Sequence, residues 1–397
     1  MKVDPRVLII GGGIAGSVCA RALEKLGIED IHLIERAENI GAGHSPKIDF
    51  AEDKGLKELM EKYDLPILNE TNTSRWYSPS GEMFELKSKI SDIWFKRGVE
   101  KGGGTEPFER EVLDKTDVEV STRTRAVNIR KGNVLALDEE TDEEVKYSPD
   151  IVVDATGNFS PYLNEDKKRN MARRIPAAGF ILDEIDIEPD IPHVFFDKDL
   201  YGDSYMLIFD GKVNNLSYLL YGLGERGGYL DFDELKNELP TDALSNSHVK
   251  GKIHGSIYLS RRCALTEENV LFVGDEANSM DPLLNYGVAN AIKSGIFAAK
   301  AIAQGDTINE IKREYEHSFK KNLYPELRRN FKLRNVFNDL DNNDLNCLIR
   351  TFKELNKEDD IEELLERWDK MVMRGFPQIL KRPRLLKMIS RFVREMI

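Results

Sequence analysis

The start of the chain constrains its fold more than any other segment. Arg6–Ile10 is a short apolar run, and Gly11-Gly12-Gly13-Ile14-Ala15-Gly16 follows it at once as a G-x-G-x-x-G. A helical pattern over Ser17–Leu26 comes next, closed by Gly27, and a second apolar run, Ile31–Ile34, ends at Glu35. This order predicts strand, glycine turn, helix, strand and acid. Each part has a task in holding a dinucleotide: Gly11 makes the tight turn, Gly13 lets backbone approach a pyrophosphate, and Gly16 lets helix and strand pack closely. Ile14 and Ala15 stand where the helix N-terminus offers unpaired N–H groups and a positive dipole end to phosphate. Glu35 lies nineteen residues after Gly16, where a carboxylate accepts from ribose hydroxyls; Arg36 beside it is a further cofactor candidate. A bare glycine signature is weak evidence, but the flanking strands and the acid make this one specific.

The bulk numbers narrow the remaining classes. A chain of 397 residues with 41% apolar and 32% charged residues is globular and long enough for two or three lobes. Its net charge of −13 argues against a general nucleic-acid binder. Cys19, Cys263 and Cys347 are far apart with no C-x-x-C, and the six histidines have no metal spacing. A reducing cytoplasm fits this usage. The first residues lead into the first strand, so no cleavable apolar leader is expected, and no apolar run reaches about eighteen residues.

Two further strand ends decide between NAD and FAD. Asp150–Gly157 reads as a buried strand ending in a small, turn-forming tip. Asn269–Ala277 reads as a third, ending in Gly274-Asp275, with Pro282, Gly287 and a helix from about Val288 to Ala303 after it. Three tips so distant in sequence must converge on one ligand, and FAD is long enough to touch all three. Asp275 supplies a carboxylate for ribityl or ribose hydroxyls. The helix beginning after Gly287 at Val288 offers its N–H groups to the flavin pyrimidine edge, where negative charge gathers on reduction.

Together, Gly11–Gly16 with Glu35, Asp154–Gly157, and Gly274-Asp275-x-Ala277 with Pro282 and Gly287 resemble the flavoprotein group of aromatic hydroxylases and geranylgeranyl reductases. The middle of the chain is most similar to the geranylgeranyl reductases. Those enzymes carry a Tyr-x-Trp-x-Phe-Pro segment; here Tyr205 and Phe209 match, while Leu207 and Asp210 replace the Trp and Pro. Asn285 replaces a usual Gly. The resemblance covers roughly residues 5–305. It implies an α/β fold, a Rossmann-like FAD-binding domain with an inserted antiparallel β-sheet substrate domain. It further implies that the Gly41–Asp49 loop reaches the flavin through His44, Ser45 and Lys47, and that Arg97 approaches a flavin phosphate or the adenine side. Tyr205, Phe209 and Tyr218 are substrate-contact candidates, with strand-core aromatics as the plainer reading. His44 and Tyr205 are the candidate proton donors.

The expected organisation is an FAD-binding lobe in three pieces (1–75, 105–160, 255–305), a capping sheet (76–104, 161–254) and a helical region (306–397) broken at Pro325 and Pro377. Gly222–Gly227 is a second formal G-x-G-x-x-G, but no helix opens directly after it and no acid follows at the required distance, so it reads as a strand end. Residues 381–397 form a basic amphipathic pattern: a docked terminal helix is the first reading, peripheral contact with an anionic membrane the second. The implied activity is flavin-dependent reduction of C=C bonds in a geranylgeranyl or other polyprenyl lipid, an isoprenoid step of lipid biosynthesis, with NAD(P)H or a ferredoxin-like protein as reductant. The alternatives are a flavin monooxygenase and a non-enzymatic prenyl-protein escort. Three dispersed cysteines disfavour an iron–sulfur, quinone-linked enzyme, and Trp76, Trp94 and Trp368 form no Trp-x-Trp halogenase signature.

Overall fold

The computed structural model describes residues 2–3, 6–43, 47–52, 55–99, 106–157, 172–202, 204–211, 216–222, 230–260, 265–283 and 285–355. Its strands are β1 (Lys2–Val3), β2 (Val7–Ile10), β3 (Ile31–Ile34), β4 (Lys47–Glu52), β5 (Asn69–Tyr77), β6 (Met83–Arg97), β7 (Glu119–Ser121), β8 (Thr124–Arg130), β9 (Asn133–Asp138), β10 (Glu144–Tyr147), β11 (Ile151–Asp154), β12 (Ala172–Asp183), β13 (His193–Phe195), β14 (Met206–Gly211), β15 (Leu216–Gly222), β16 (His248–Ser260), β17 (Thr266–Glu267) and β18 (Val270–Phe272). The helices are α1 (Ile14–Lys25), α2 (Leu56–Tyr63), α3 (Phe108–Leu113), α4 (Lys198–Tyr201), α5 (Phe232–Glu238), α6 (Val288–Gln304), α7 (Ile308–Asn322), α8 (Tyr324–Asn338) and α9 (Asn342–Leu355). Two compact units share them. The first comprises Met1–Asn69, Ile93–Arg173 and Tyr258–Asn330; the second comprises Glu70–Asp92, Arg174–Ile257 and Phe331–Ile397.

The first unit is built on a six-stranded sheet ordered β17-β18-β11-β2-β3-β7. Every residue of β2, β3, β11 and β18 is buried, as expected for Val/Ile/Leu-rich strands covered on both faces. β18, β11, β2, β3 and β7 run parallel. α1 begins at Ile14, three residues before the expected Ser17, because Gly13 already serves as its N-cap and Ser17 N–H donates to the Gly13 carbonyl at 2.9 Å. α6 lies against α1 so closely that a methyl on Gly295 would stand 2.5 Å from the Ala15 carbonyl oxygen. α7 starts on a capping box: Thr307 Oγ1 accepts from Glu310 N–H, and the Glu310 carboxylate accepts from Thr307 N–H. Its buried Tyr315 donates a hydroxyl hydrogen bond to the carbonyl of Phe272, the last residue of β18. The expected break at Pro325 lies between α7 and α8, where Pro325 occupies the first turn of the new helix. A second, smaller sheet, β1-β10-β9-β8, belongs to the same unit.

The second unit carries the antiparallel succession β12-β15-β14-β13 with β5 parallel to β13. One face of this sheet presents Phe180, Phe195, Met206, Ile208, Leu219 and Tyr221 to Leu235 and Leu239 of the α5 region, forming a separate apolar core. Phe209 and Tyr218 alternate out of that set and stand on the opposite face. Among the described residues no helix is long and apolar enough to cross a membrane. Residues 223–227 of the second glycine signature and the basic segment 381–397 lie outside the described residues.

Candidate functional site

Five parallel strands end level. Ile10 of β2 pairs with Ile34 of β3 and with Asp154 of β11; Asp154 pairs with Phe272 of β18, and Ile34 with Ser121 of β7. The ladder continues one residue past the strands, with Ala155 N–H donating to Ile10 O, Val273 N–H to Asp154 O and Gly11 N–H to Ile34 O. The tips at Gly11, Ala155 and Gly274 therefore share one carboxyl edge of a parallel sheet, the position at which doubly wound folds take ligands.

The glycines of the first turn differ in what surrounds them. Gly11 has φ +103°, and a methyl there would meet the Ala155 carbonyl oxygen at 2.7 Å. A methyl on Gly16 would stand 1.9 Å from the Gly11 carbonyl oxygen. At Gly13 an added methyl would meet no other described residue within 4 Å. Gly11 and Gly16 are thus required by the protein itself, whereas Gly13 leaves space at the N-terminus of α1. That is the distribution a pyrophosphate needs, so these residues fit a dinucleotide. Glu35 is half-buried; its Oε2 accepts from Gly12 N–H at 2.7 Å and its Oε1 from Ala37 N–H at 2.9 Å. A carboxylate has about four acceptor positions, so two remain for ribose hydroxyls. Arg36 is exposed at the surface.

At the second tip, Asp154 Oδ1 accepts from both the backbone N–H and the hydroxyl of Thr156, folding the chain into Gly157 at φ +69°. At the third, a short 3-10 turn over Gly274–Ala277 carries Asp275. Gly274 N–H donates to Ser294 Oγ of α6 at 2.9 Å, joining this tip to the helix. Asp275 Oδ1 would lie 3.3 Å from a methyl on Gly287, the N-cap of α6, and Val288 is that helix's first residue. The carboxylate therefore lies beside the helix start. Pro282 is buried in the intervening turn, which Asp281 N–H closes by donating to Tyr286 O. Asn285 has φ +60°. Asn tolerates the left-handed region, so replacing the usual Gly preserves the turn.

Charged side chains gather near Asp275. Arg97, at the end of β6, is buried; its Nε donates to Glu109 Oε1 at 2.6 Å and its Nη1 to Asp49 Oδ2 at 3.1 Å. Lys47 donates to Asp49 Oδ1 at 2.7 Å. Burial pulls the Arg97 guanidinium toward neutrality, but Glu109, Asp49 and Asp275 outweigh it and hold its pKa above the usual value. For Asp275 burial raises the pKa, opposed by Arg97 and Lys47. Glu109 and Asp49 were not foreseen from the sequence; α3 reads Phe-Glu-Arg-Glu-Val-Leu, so nothing in the sequence sets the buried Glu109 apart from the charged residues beside it. His44 and Ser45 lie outside the described residues.

The aromatic candidates belong to the second unit. Phe209 and Tyr218 are direct cross-strand partners, both 0% exposed, with rings stacked at 5.4 Å. Tyr205 is half-buried just before β14, its ring 6.1 Å from Phe196. His193, also unforeseen, is buried on β13; its Nδ1 meets the Tyr77 hydroxyl at 3.1 Å and its Nε2 has no hydrogen-bond partner among the described residues. Burial, then the Arg75 charge, lowers its pKa to about 4.

Residues 9–76 match the NAD(P)-binding Rossmann-like domain family. Digeranylgeranylglycerophospholipid reductase 1 of Methanococcoides burtonii is 24% identical, spanning 90% of this chain and 89% of its own length. The digeranylgeranylglycerophospholipid reductase of Methanoculleus marisnigri is 27% identical, with 94% and 98% covered. In three dimensions the chain is similar to a geranylgeranyl bacteriochlorophyll reductase-like protein from Thermoplasma acidophilum, with a TM-score of 0.74, 20% identity, and 97% of this chain and 100% of that one covered. Along nearly its whole length, the chain is thus similar in sequence to proteins named digeranylgeranylglycerophospholipid reductase, and in fold to a geranylgeranyl bacteriochlorophyll reductase-like protein.

Proposed function

We propose that this protein is an FAD-dependent oxidoreductase that reduces C=C bonds in the geranylgeranyl chains of a glycerophospholipid or a similar polyprenyl lipid. The observation that carries this reading is the level carboxyl edge, which brings the tips at Gly11, Gly157 and Gly274 together from segments more than a hundred residues apart. The relatives named for digeranylgeranylglycerophospholipid supply the substrate class. When bound, the flavin supplies hydride chemistry that amino-acid side chains lack.

The chain's own residues bind and orient. Gly13, Ile14, Ala15 and the N–H groups opening α1 receive the pyrophosphate, with Gly11 and Gly16 shaping their turn. Glu35 takes the adenosine ribose, with Arg36 adjacent; Gly157 and Asp275 serve the middle of the dinucleotide, and Asp275 accepts from ribityl hydroxyls. Pro282, Gly287 and Val288 set the N-terminal end of α6 for the pyrimidine edge. Arg97 and Lys47 balance charge nearby. An isolated alkene has no carbonyl to polarise, so alignment, exclusion of water and a proton source are the levers open to the protein. His44 and Tyr205 are the proton-donor candidates, and Tyr205, Phe209 and Tyr218 the substrate-wall candidates. The reductant is NAD(P)H or a ferredoxin-like protein, and residues 381–397 are the candidate membrane contact.

The test is anaerobic. Purified protein is reduced with dithionite and mixed with digeranylgeranylglycerophospholipid. Return of the oxidised flavin spectrum, with saturated product, is expected. Absence of reoxidation by any prenyl lipid, together with substrate-stimulated oxygen uptake on NAD(P)H, overturns the reading in favour of a monooxygenase. A colourless protein unable to take up FAD overturns it in favour of an escort.

A further inference from the structure

Arg97 commits two of its three guanidinium nitrogens to carboxylates, Nε to Glu109 and Nη1 to Asp49; Nη2 donates to no described residue. The two carboxylates differ. Asp49 divides its charge between Arg97 and Lys47, whereas Glu109 is 0% exposed and forms its ion pair with Arg97 alone among the described residues. The second oxygen of Glu109 is buried without a hydrogen-bond partner among the described residues, beside the turn at Gly41. A carboxylate placed so deeply is costly to desolvate, and an apolar residue packs such a site at lower cost. Its placement therefore points to what it does for Arg97. Held at two edges, a guanidinium has lost its rotamer freedom before any ligand arrives.

We propose that Glu109 is a positioning residue that locks the Arg97 guanidinium, leaving Nη2 as a preorganised donor to the ribityl–flavin half of the dinucleotide. This rests on the FAD part of the proposed function and is independent of the prenyl substrate. Two observations select that half. Arg97 and Asp275 act on each other's charge, and Asp275 follows β18, three strands away from Glu35 at the end of β3. Among the described residues the local charges are Lys47 and Arg97 against Asp49, Glu109 and Asp275. An excess of carboxylates disfavours a further anion and favours a neutral oxygen acceptor, such as a ribityl hydroxyl or a flavin carbonyl.

Apo-protein titrated with FAD and with ADP separates the possibilities. Glu109→Ala and Arg97→Lys weaken FAD binding by about tenfold to a hundredfold, the loss of one charge-assisted contact, and leave ADP binding within about twofold. Glu109→Gln keeps an acceptor for Nε and falls between Glu109→Ala and the unaltered protein. Equal losses for FAD and ADP mean a structural role and overturn the proposal, as does unaltered FAD affinity in both Glu109 variants. Failure of the underlying FAD reading is distinct, because the unaltered protein then takes up no FAD.

Discussion

The two units hold their candidate residues in opposite ways. In the first, the site is defined by missing side chains: at Gly13 space is left open, while at Gly16 the neighbouring backbone has closed in. In the second, Phe209 and Tyr218 are large, stacked and fully buried. Space left in the backbone has the form of a binding surface before any ligand arrives, whereas stacked, fully buried rings have the form of an ordinary core.

Substitutions can break or sharpen this contrast. Gly16→Ala puts a methyl against backbone that no rotamer change can relieve and is expected to cost about 5 kcal/mol or more. Gly13→Ala is expected to shift stability by about 1 kcal/mol or less while FAD uptake falls. Urea unfolding paired with flavin titration checks both, and similar unfolding midpoints for the two variants would remove the distinction. Phe209→Ala is expected to cost about 3–5 kcal/mol as a core truncation; intact stability with a raised KM for prenyl lipid would make it a substrate wall instead.

Next in size is the pH dependence set by His193. Its folded pKa, near 4, is below the usual 6.5. The unfolded chain therefore binds the proton first, and stability is fully present above pH 6.5. It declines as pH falls toward 4, by up to about 3 kcal/mol. His193→Gln should flatten that slope in urea titrations across this window; an unchanged slope assigns it to other groups. A smaller effect than that of His193 is expected at Asn285: Gly there should change stability by less than about 1 kcal/mol, and Val should cost about 1–2 kcal/mol because of the positive φ. Thermal melts of the pair decide this.

The first strand, turn, helix and acid were legible because every signal lies within Arg6–Glu35 and follows local periodicity. The level edge was also legible, since three strands each end in a glycine-bearing tip. What escaped prediction depends on long-range pairing. Glu109 meets Arg97 across a twelve-residue separation, and His193 meets Tyr77 across 116. Neither contact leaves a periodic trace, because burial on separate elements brings the groups together. Asn285 resembled a departure from the family pattern until its φ showed that the turn needs a left-handed residue rather than glycine specifically.

The hydroxyl of Tyr315 reaches back to the carbonyl at the end of β18. An engineer seeking the smallest fragment that still turns yellow with flavin should therefore not stop at Gln304. Such a trimmed chain keeps every glycine signature in its sequence, yet loses the anchor on the strand that leads into Gly274-Asp275. The residues that spell out a cofactor and the residues that keep its berth in shape need not occupy the same stretch of gene.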